Sequence, residues 1–155
     1  MKFRKTLYSG TAMLVLAASA CSTGGQGPSS VEDKAGKFIT DALNGISPAQ
    51  SQAPFSSKWS GCSEETPGVH RFSFERSINV VGVTKANAQP VIDQVLAYWQ
   101  KTGYTLRAPE PDSTTREVDL PKDPGWTITV GVDGDQMFVT VSSGCVHVSS
   151  DPKTG

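Results

Sequence analysis

Cysteine placement constrains this chain more than any other feature: three occur in 155 residues, at positions 21, 62 and 145. What they can do depends on the compartment, and the first twenty residues speak to that. Lys2, Arg4 and Lys5 precede an apolar stretch centred on Ala12-Met13-Leu14-Val15-Leu16-Ala17-Ala18. Roughly ten apolar residues are too few to cross a bilayer core that takes about twenty in a helix, but they suit an export signal. Residues 1–20 are therefore expected to be absent from the working protein. In an oxidising setting disulfides persist, and with Cys21 at the end of the apolar run, Cys62 and Cys145 remain as a pair. Bonded together they would enclose nearly the whole folded domain. The chain-entropy model assigns a loop that long roughly 4–5 kcal/mol. Gly61 and Gly144 stand before them and permit tight backbone geometry. The rival reading is a Cys2His2 metal site completed by His70 and His147. Neither cysteine has a close cysteine neighbour, so the spacing matches no common zinc pattern. A disulfide is the expectation preferred over metal or free thiols.

Ala17-Ala18-Ser19-Ala20-Cys21 sets a cysteine directly after small residues at the end of the apolar run. This resembles the lipobox of bacterial lipoproteins, with Ala18 in the place where leucine is favoured. The resemblance implies that the Cys21 thiol receives a diacylglycerol and that a peptidase cuts just before it. Each buried methylene contributes about 0.8 kcal/mol, so two acyl chains hold where one is marginal. The polar run from Ser22 to Ser30 follows, and residues 21–30 are expected to form a flexible tether. The expected location is the outer face of a cell membrane, held by the lipid.

The rest is long enough for one domain, expected over 31–149, with 150–155 as a frayed tail. Three of the 14 basic residues lie in the leading segment, leaving 11 against 15 acids. That balance excludes nucleic-acid binding driven by basic charge. Phe38, Ile39, Ala42, Leu43 and Ile46 recur at helical spacing, predicting a helix over 31–44 with Gly36 inside it. Residues 47–68, rich in proline, serine and glutamine, read as a loop touching the core through Phe55 and Trp59. From Val69 the period becomes two, a long strand with one wet face, on which Arg76 breaks the alternation and suggests a bulge or edge nearby. Val91, Ile92, Val95, Leu96, Tyr98 and Trp99 mark a helix begun after Asn87, with Pro90 in its first turn, and ended at Thr102-Gly103. Tyr104–Ala108 reads as a short strand. Residues 109–124 are polar, with brief strand contacts at Val118 and Leu120. Trp126–Val132 and Met137–Val148 are strands joined at Asp133-Gly134. The order is a helix, then β-α-β-β-β. It predicts an α+β two-layer sandwich: a four-stranded, mostly antiparallel sheet covered by one long helix, with the first two strands parallel through a crossover.

Lipobox, polar tether, short helix, the Trp59…Gly61-Cys62 stretch, an α+β domain and the closing Ser143-Gly144-Cys145 together resemble small lipoproteins of actinobacterial envelopes, the LppA-like group. The resemblance implies a surface-anchored domain and no particular mechanism.

Chemistry is sparse. No G-x-S-x-G, H-E-x-x-H, glycine-rich phosphate loop or C-x-x-C is present. His70 and His147 read as strand residues that could meet near the disulfide. Asp133-Gly134-Asp135 reads as a hairpin turn rather than a calcium loop. Asp112, Glu117, Asp119 and Asp123, with Glu64, Glu65 and Glu75, read as solvated surface carboxylates. Trp99 and Trp126 read as core, whereas Trp59, Tyr98 and Tyr104 are the candidates for an exposed binding surface. The expectation is a non-enzymatic module without cofactor or metal, binding an envelope protein or cell-wall component through its sheet face or proline-rich loop. The alternative is a carrier or sensor holding a small apolar ligand in a pocket between helix and sheet.

Overall fold

A computed structural model describes residues 25–46, 52–63, 70–109 and 113–152. Alternation along the longest strands sets the architecture. Strand β6 (Gln136–His147) buries Met137, Val139, Val141 and Ser143, while Phe138, Thr140 and Ser142 between them stay partly open. A period of two sends these sets to opposite faces. The same holds in β2 (Arg71–Thr84), where Phe74, Ile78 and Val80 are buried, and in β5 (Thr127–Asp133), where Ile128 and Val130 are. Strands β1 (Gln52–Gly61), β3 (Thr105–Leu106) and β4 (Arg116–Asp119) complete one six-stranded sheet in the order β1-β2-β6-β5-β4-β3. Every neighbouring pair is antiparallel.

Two helices cover the apolar face. In α1 (Pro28–Leu43), Val31, Ala35, Ile39, Ala42 and Leu43 are buried at spacings of three and four. Its first residue is proline, whose missing N–H costs nothing there. In α2 (Ala88–Lys101), Ala88, Ile92, Val95 and Trp99 are buried. The two meet where the Trp99 indole Nε1–H donates to the Ala42 carbonyl at 3.2 Å. Asn87 stands just before α2, as expected, but its Oδ1 accepts from the Thr84 N–H at 2.7 Å and closes the preceding turn instead of capping the helix. Gly103, at φ +92°, ends the helix.

The expected four-stranded sheet under one long helix is thus corrected to six strands under two helices. The largest miss is β1, read as part of a structureless loop. Its sequence, Gln-Ala-Pro-Phe-Ser-Ser-Lys-Trp-Ser-Gly, has few apolar residues and a proline, which argues against a central strand. It is an edge strand, where an absent N–H is tolerated, and its register shifts between Pro54 and Ser56. The second miss is β4, too short for its alternation to be seen. The crossover was also misjudged. Strands β2 and β3, joined through α2, do run in the same direction, but β6, β5 and β4 lie between them.

Arg76 is on the apolar side, as its phase suggested, and α1 explains it. The guanidinium lies 3.1 Å from where a Cβ on Gly36 would be, and Nη1 donates to the Glu32 carbonyl at 3.4 Å. Gly36 is tolerated in the helix because a side chain there would meet this arginine. Nε donates to Ser57 Oγ at 3.2 Å, and the cation sits over the Phe74 ring at 5.6 Å. A partly buried position on the covered face therefore takes a charge because backbone, hydroxyl and ring all receive it.

Cys62 and Cys145 stand at disulfide distance with Cα atoms 6.2 Å apart. Cys62 follows β1 and Cys145 lies in β6, so the bridge joins the two strands that flank β2. Of the two preceding glycines only Gly144 uses its freedom, at φ +59°. A Cβ there would also lie 2.7 Å from the Gly125 carbonyl oxygen. Beside it the buried Ser143 hydroxyl accepts from the Phe74 N–H at 2.9 Å, where the β2–β6 register shifts.

Candidate functional site

Cys21, the expected lipid attachment point, lies outside the described residues, as do Glu64, Glu65 and Asp112. The described residues begin at Gly25. Helix α1 starts at Pro28, not residue 31, and Gln26 pairs with Val148 in a parallel bridge. The Gln26 N–H donates to the His147 carbonyl at 3.1 Å, and the Ser149 N–H donates to the Gln26 carbonyl at 3.0 Å. The second half of the expected tether is therefore built into the fold.

The sheet face without helices is where the sequence offers an open surface. Pairing aligns Ser56, Ser77, Thr140, Thr129 and Glu117 in one row across five strands. Within it Ser77 Oγ and Thr140 Oγ1 are 2.6 Å apart. Toward the β5–β6 hairpin this face holds a hollow of about 480 Å³, lined by Ser77, Asn79, Thr115, Val132, Asp133, Gln136, Phe138 and Thr140. That volume falls in the range of about 300–1,000 Å³ usual for small-molecule sites. Gly131 lets one wall form. A Cβ there would lie 2.7 Å from Thr115 Cγ2, so only glycine lets residues 113–115 rest on β5. That segment is held by its own hydrogen bonds: the Thr115 N–H donates to Ser113 Oγ at 3.1 Å, and Arg116 Nη1 donates to the Ser113 carbonyl at 3.1 Å. Three hydroxyls, two amides, one ring and Val132 make the lining, with Asp133 its one ionisable group. Such a surface suits a ligand that both donates and accepts hydrogen bonds and carries an apolar flat side.

The three aromatic candidates separate. Trp59 is 5% exposed, its ring tilted against Phe74 with centroids 4.8 Å apart, and its indole donates to Glu32 Oε1 at 2.9 Å. It belongs to the core, and the expectation of an exposed Trp59 is corrected. Tyr98 and Tyr104 are half-buried and come together with Phe38, Asp41, Leu120 and Asp123 around a second hollow of about 380 Å³. Burial, with the charges of Asp41 and Asp123 and the neighbouring Tyr98, holds the Tyr104 phenol above the usual tyrosine range. Lys34 pairs with Asp123 at 2.5 Å and lies 5.4 Å from the centre of the Trp126 ring. Trp126 and Trp99 are buried, as read.

Several other charges are paired. Arg107 reaches Glu117 Oε1 at 2.6 Å and both oxygens of Asp119 at 3.0 Å, and Lys58 reaches Glu75 at 3.3 Å. The hydrogen bond from Arg107 draws Asp119 below the usual carboxylate range, and the same bond raises the Arg107 guanidinium. Glu117 and Asp119 are thus engaged with Arg107 as a surface ion-pair group. His70 Nδ1 pairs with Asp151 at 2.8 Å in what was read as frayed tail. His147 sits opposite Arg71, the residue next to His70, so the histidines share one end of the sheet. Among the described residues no three His, Cys, Asp or Glu side chains converge as a metal site.

The hydroxyl-lined hollow was missed as a site, but its signal was present. Phe138 is out of phase with Met137, Val139 and Val141, and an apolar ring on the wet side of a strand asks for a partner. Comparison of the chain with protein-family models, with curated proteins and with solved structures found no match.

Proposed function

We propose that this protein is a lipid-anchored module on the outer face of a cell membrane that binds, without catalysis, a hydroxyl-rich component of the cell wall. Anchoring rests on the lipobox-like Ala18-Ser19-Ala20-Cys21 and the short apolar run before it. Binding is supported by one observation above the others: the hollow on the open sheet face offers Asn79, Gln136, Ser77 and Thr140 beside the Phe138 ring, with a single carboxylate. Sugar hydroxyls exchange hydrogen bonds with amides and hydroxyls, while their C–H faces pack on aromatic rings. A packed interior between α2 and the sheet, where Val95, Trp99, Val118 and Val130 have no exposed surface, supports this reading over a carrier with an interior ligand.

Two measurements test it. A fatty-acid label should mark the wild-type protein in its native envelope, and Cys21→Ala should lose the label and leave the membrane. Equal labelling of both would overturn the anchor. Soluble neutral cell-wall saccharides added to the isotope-labelled domain should shift the amide resonances of Ser77, Asn79, Phe138 and Thr140, and Phe138→Ser should remove those shifts. Shifts clustered instead on Tyr98 and Tyr104 would transfer the site to the second hollow and favour the small-ligand reading. No shift at saturating saccharide would overturn the ligand class.

A further inference from the structure

Resting on the lipoprotein reading above, we infer that the anchor is a short leash that turns the disulfide end of the sheet toward the bilayer and the hollow away from it. The argument is one of length. Gly25 is pressed against the end of β6, for a Cβ on it would lie 2.7 Å from the Val148 carbonyl carbon and 2.9 Å from the Ser149 nitrogen. With the Gln26 bridge this fixes where the folded body begins. From Gly25 back to Cys21 there are only four peptide steps, which span at most about 14 Å in any conformation. An acylated Cys21 lies at the headgroup level, so the sheet end bearing Val148 stays within that distance of the lipid.

The strands then place everything else. Strand β2 leaves this end at Arg71, and β6 arrives there at His147, each opposite the other. The rim comprises Cys62, His70, Arg71, His147 and Ser149, all at least partly exposed. The 12 residues of β6, at about 3.3 Å each, carry the hairpin at Gln136 about 35 Å from that rim. Asp133, Gln136 and Phe138 of the hollow lie toward this far end. A leash much shorter than the domain prevents the body from turning over, so the rim meets the lipid headgroups and the hollow, on the sheet face toward the hairpin, stands at the end away from the membrane. A tether of ten free residues would impose no such direction.

The experiment uses the full acylated protein in nanodiscs of phosphatidylethanolamine and phosphatidylglycerol, with some headgroups carrying a gadolinium chelate. Amide signals of Arg71 and Ser149 should be lost while those of Asp133 and Gln136 persist. Insertion of about ten Gly-Ser residues after Cys21 should abolish that contrast. Uniform loss, or loss at the hairpin first, overturns the orientation while leaving the anchor intact. A contrast that survives the spacer also overturns it, because the direction would then come from the surface and not from the leash. Mass spectrometry of the same sample separates the two claims: a wild-type protein without an acyl group removes the anchor and the orientation together.

Discussion

The two faces of this sheet are made by the same six strands and hold opposite chemistry. Beneath the helices, Phe74, Ile128, Val130, Val139 and Val141 are all but fully buried and meet Val95 and Trp99 in one core. On the other side the matching positions are Ser77, Thr129, Thr140 and Ser142, with Phe138 among them. Apolar burial contributes about 25 cal/mol per Å², so folding free energy concentrates on the covered face. The open face contributes little through packing. It is free to carry hydrogen-bonding groups that stability alone does not require. The difference teaches that one face can be altered for binding while the other keeps the fold, provided the strands stay in register.

Substitutions can break that division, and the largest effect belongs to the covered side. Trp99→Ala removes a fully buried ring and its bond to Ala42, and should cost about 3–5 kcal/mol in urea unfolding. Less than 1 kcal/mol would mean that the helices do not pack on the sheet as described. Next is the bridge between β1 and β6. Replacing Cys62 and Cys145 together with serine should cost about 2–4 kcal/mol, with the wild type showing no free thiol at either position before reduction. Phe138→Ser, on the open face, should change stability by less than about 1 kcal/mol while abolishing saccharide-induced shifts. A loss as large as that of Trp99→Ala would end the claim that the faces divide the work.

The smallest effect sharpens the same contrast through pH. Asp119 has its folded pKa depressed by Arg107, so its contribution is present above the unfolded carboxylate pKa and is lost as pH falls through the depressed value. The pair is exposed and screened. Asp119→Asn should therefore differ slightly from wild type at neutral pH and low salt. The difference should vanish in acid and in high salt. A difference that persists in acid would show a packing role instead.

Much of the covered side was legible from residue patterns. Helix α2 and its ends, the β5–β6 hairpin at Asp133-Gly134 and the inward phase of Met137, Val139 and Val141 all follow from periodicity and turn chemistry. Edge strands obscure themselves. Strand β1 buries Trp59 but exposes Ser56, Ser57, Lys58 and Ser60, so it carries little apolar signal to distinguish it from loop. Trp59 was consequently read both as a loop residue touching the core and as a surface candidate, and pairing with Phe74 takes it inside. The hollow was harder still, since its residues come from β2, β5, β6 and the segment before β4, separated by up to 63 positions in the Ser77–Thr140 contact.

By itself the order of amino acids determined the two helices and the phase of the long strands, and it is the ground on which the lipid anchor is proposed. These are local properties, set by neighbours within a few residues. Only the tertiary structure decided that six strands share one sheet, that β2 is clamped between the strands its flanking cysteines join, and that Gly25 and Gln26 are sealed to the end of β6. Register between distant strands depends on which side chains fill one common core, and no short window of sequence contains that sum.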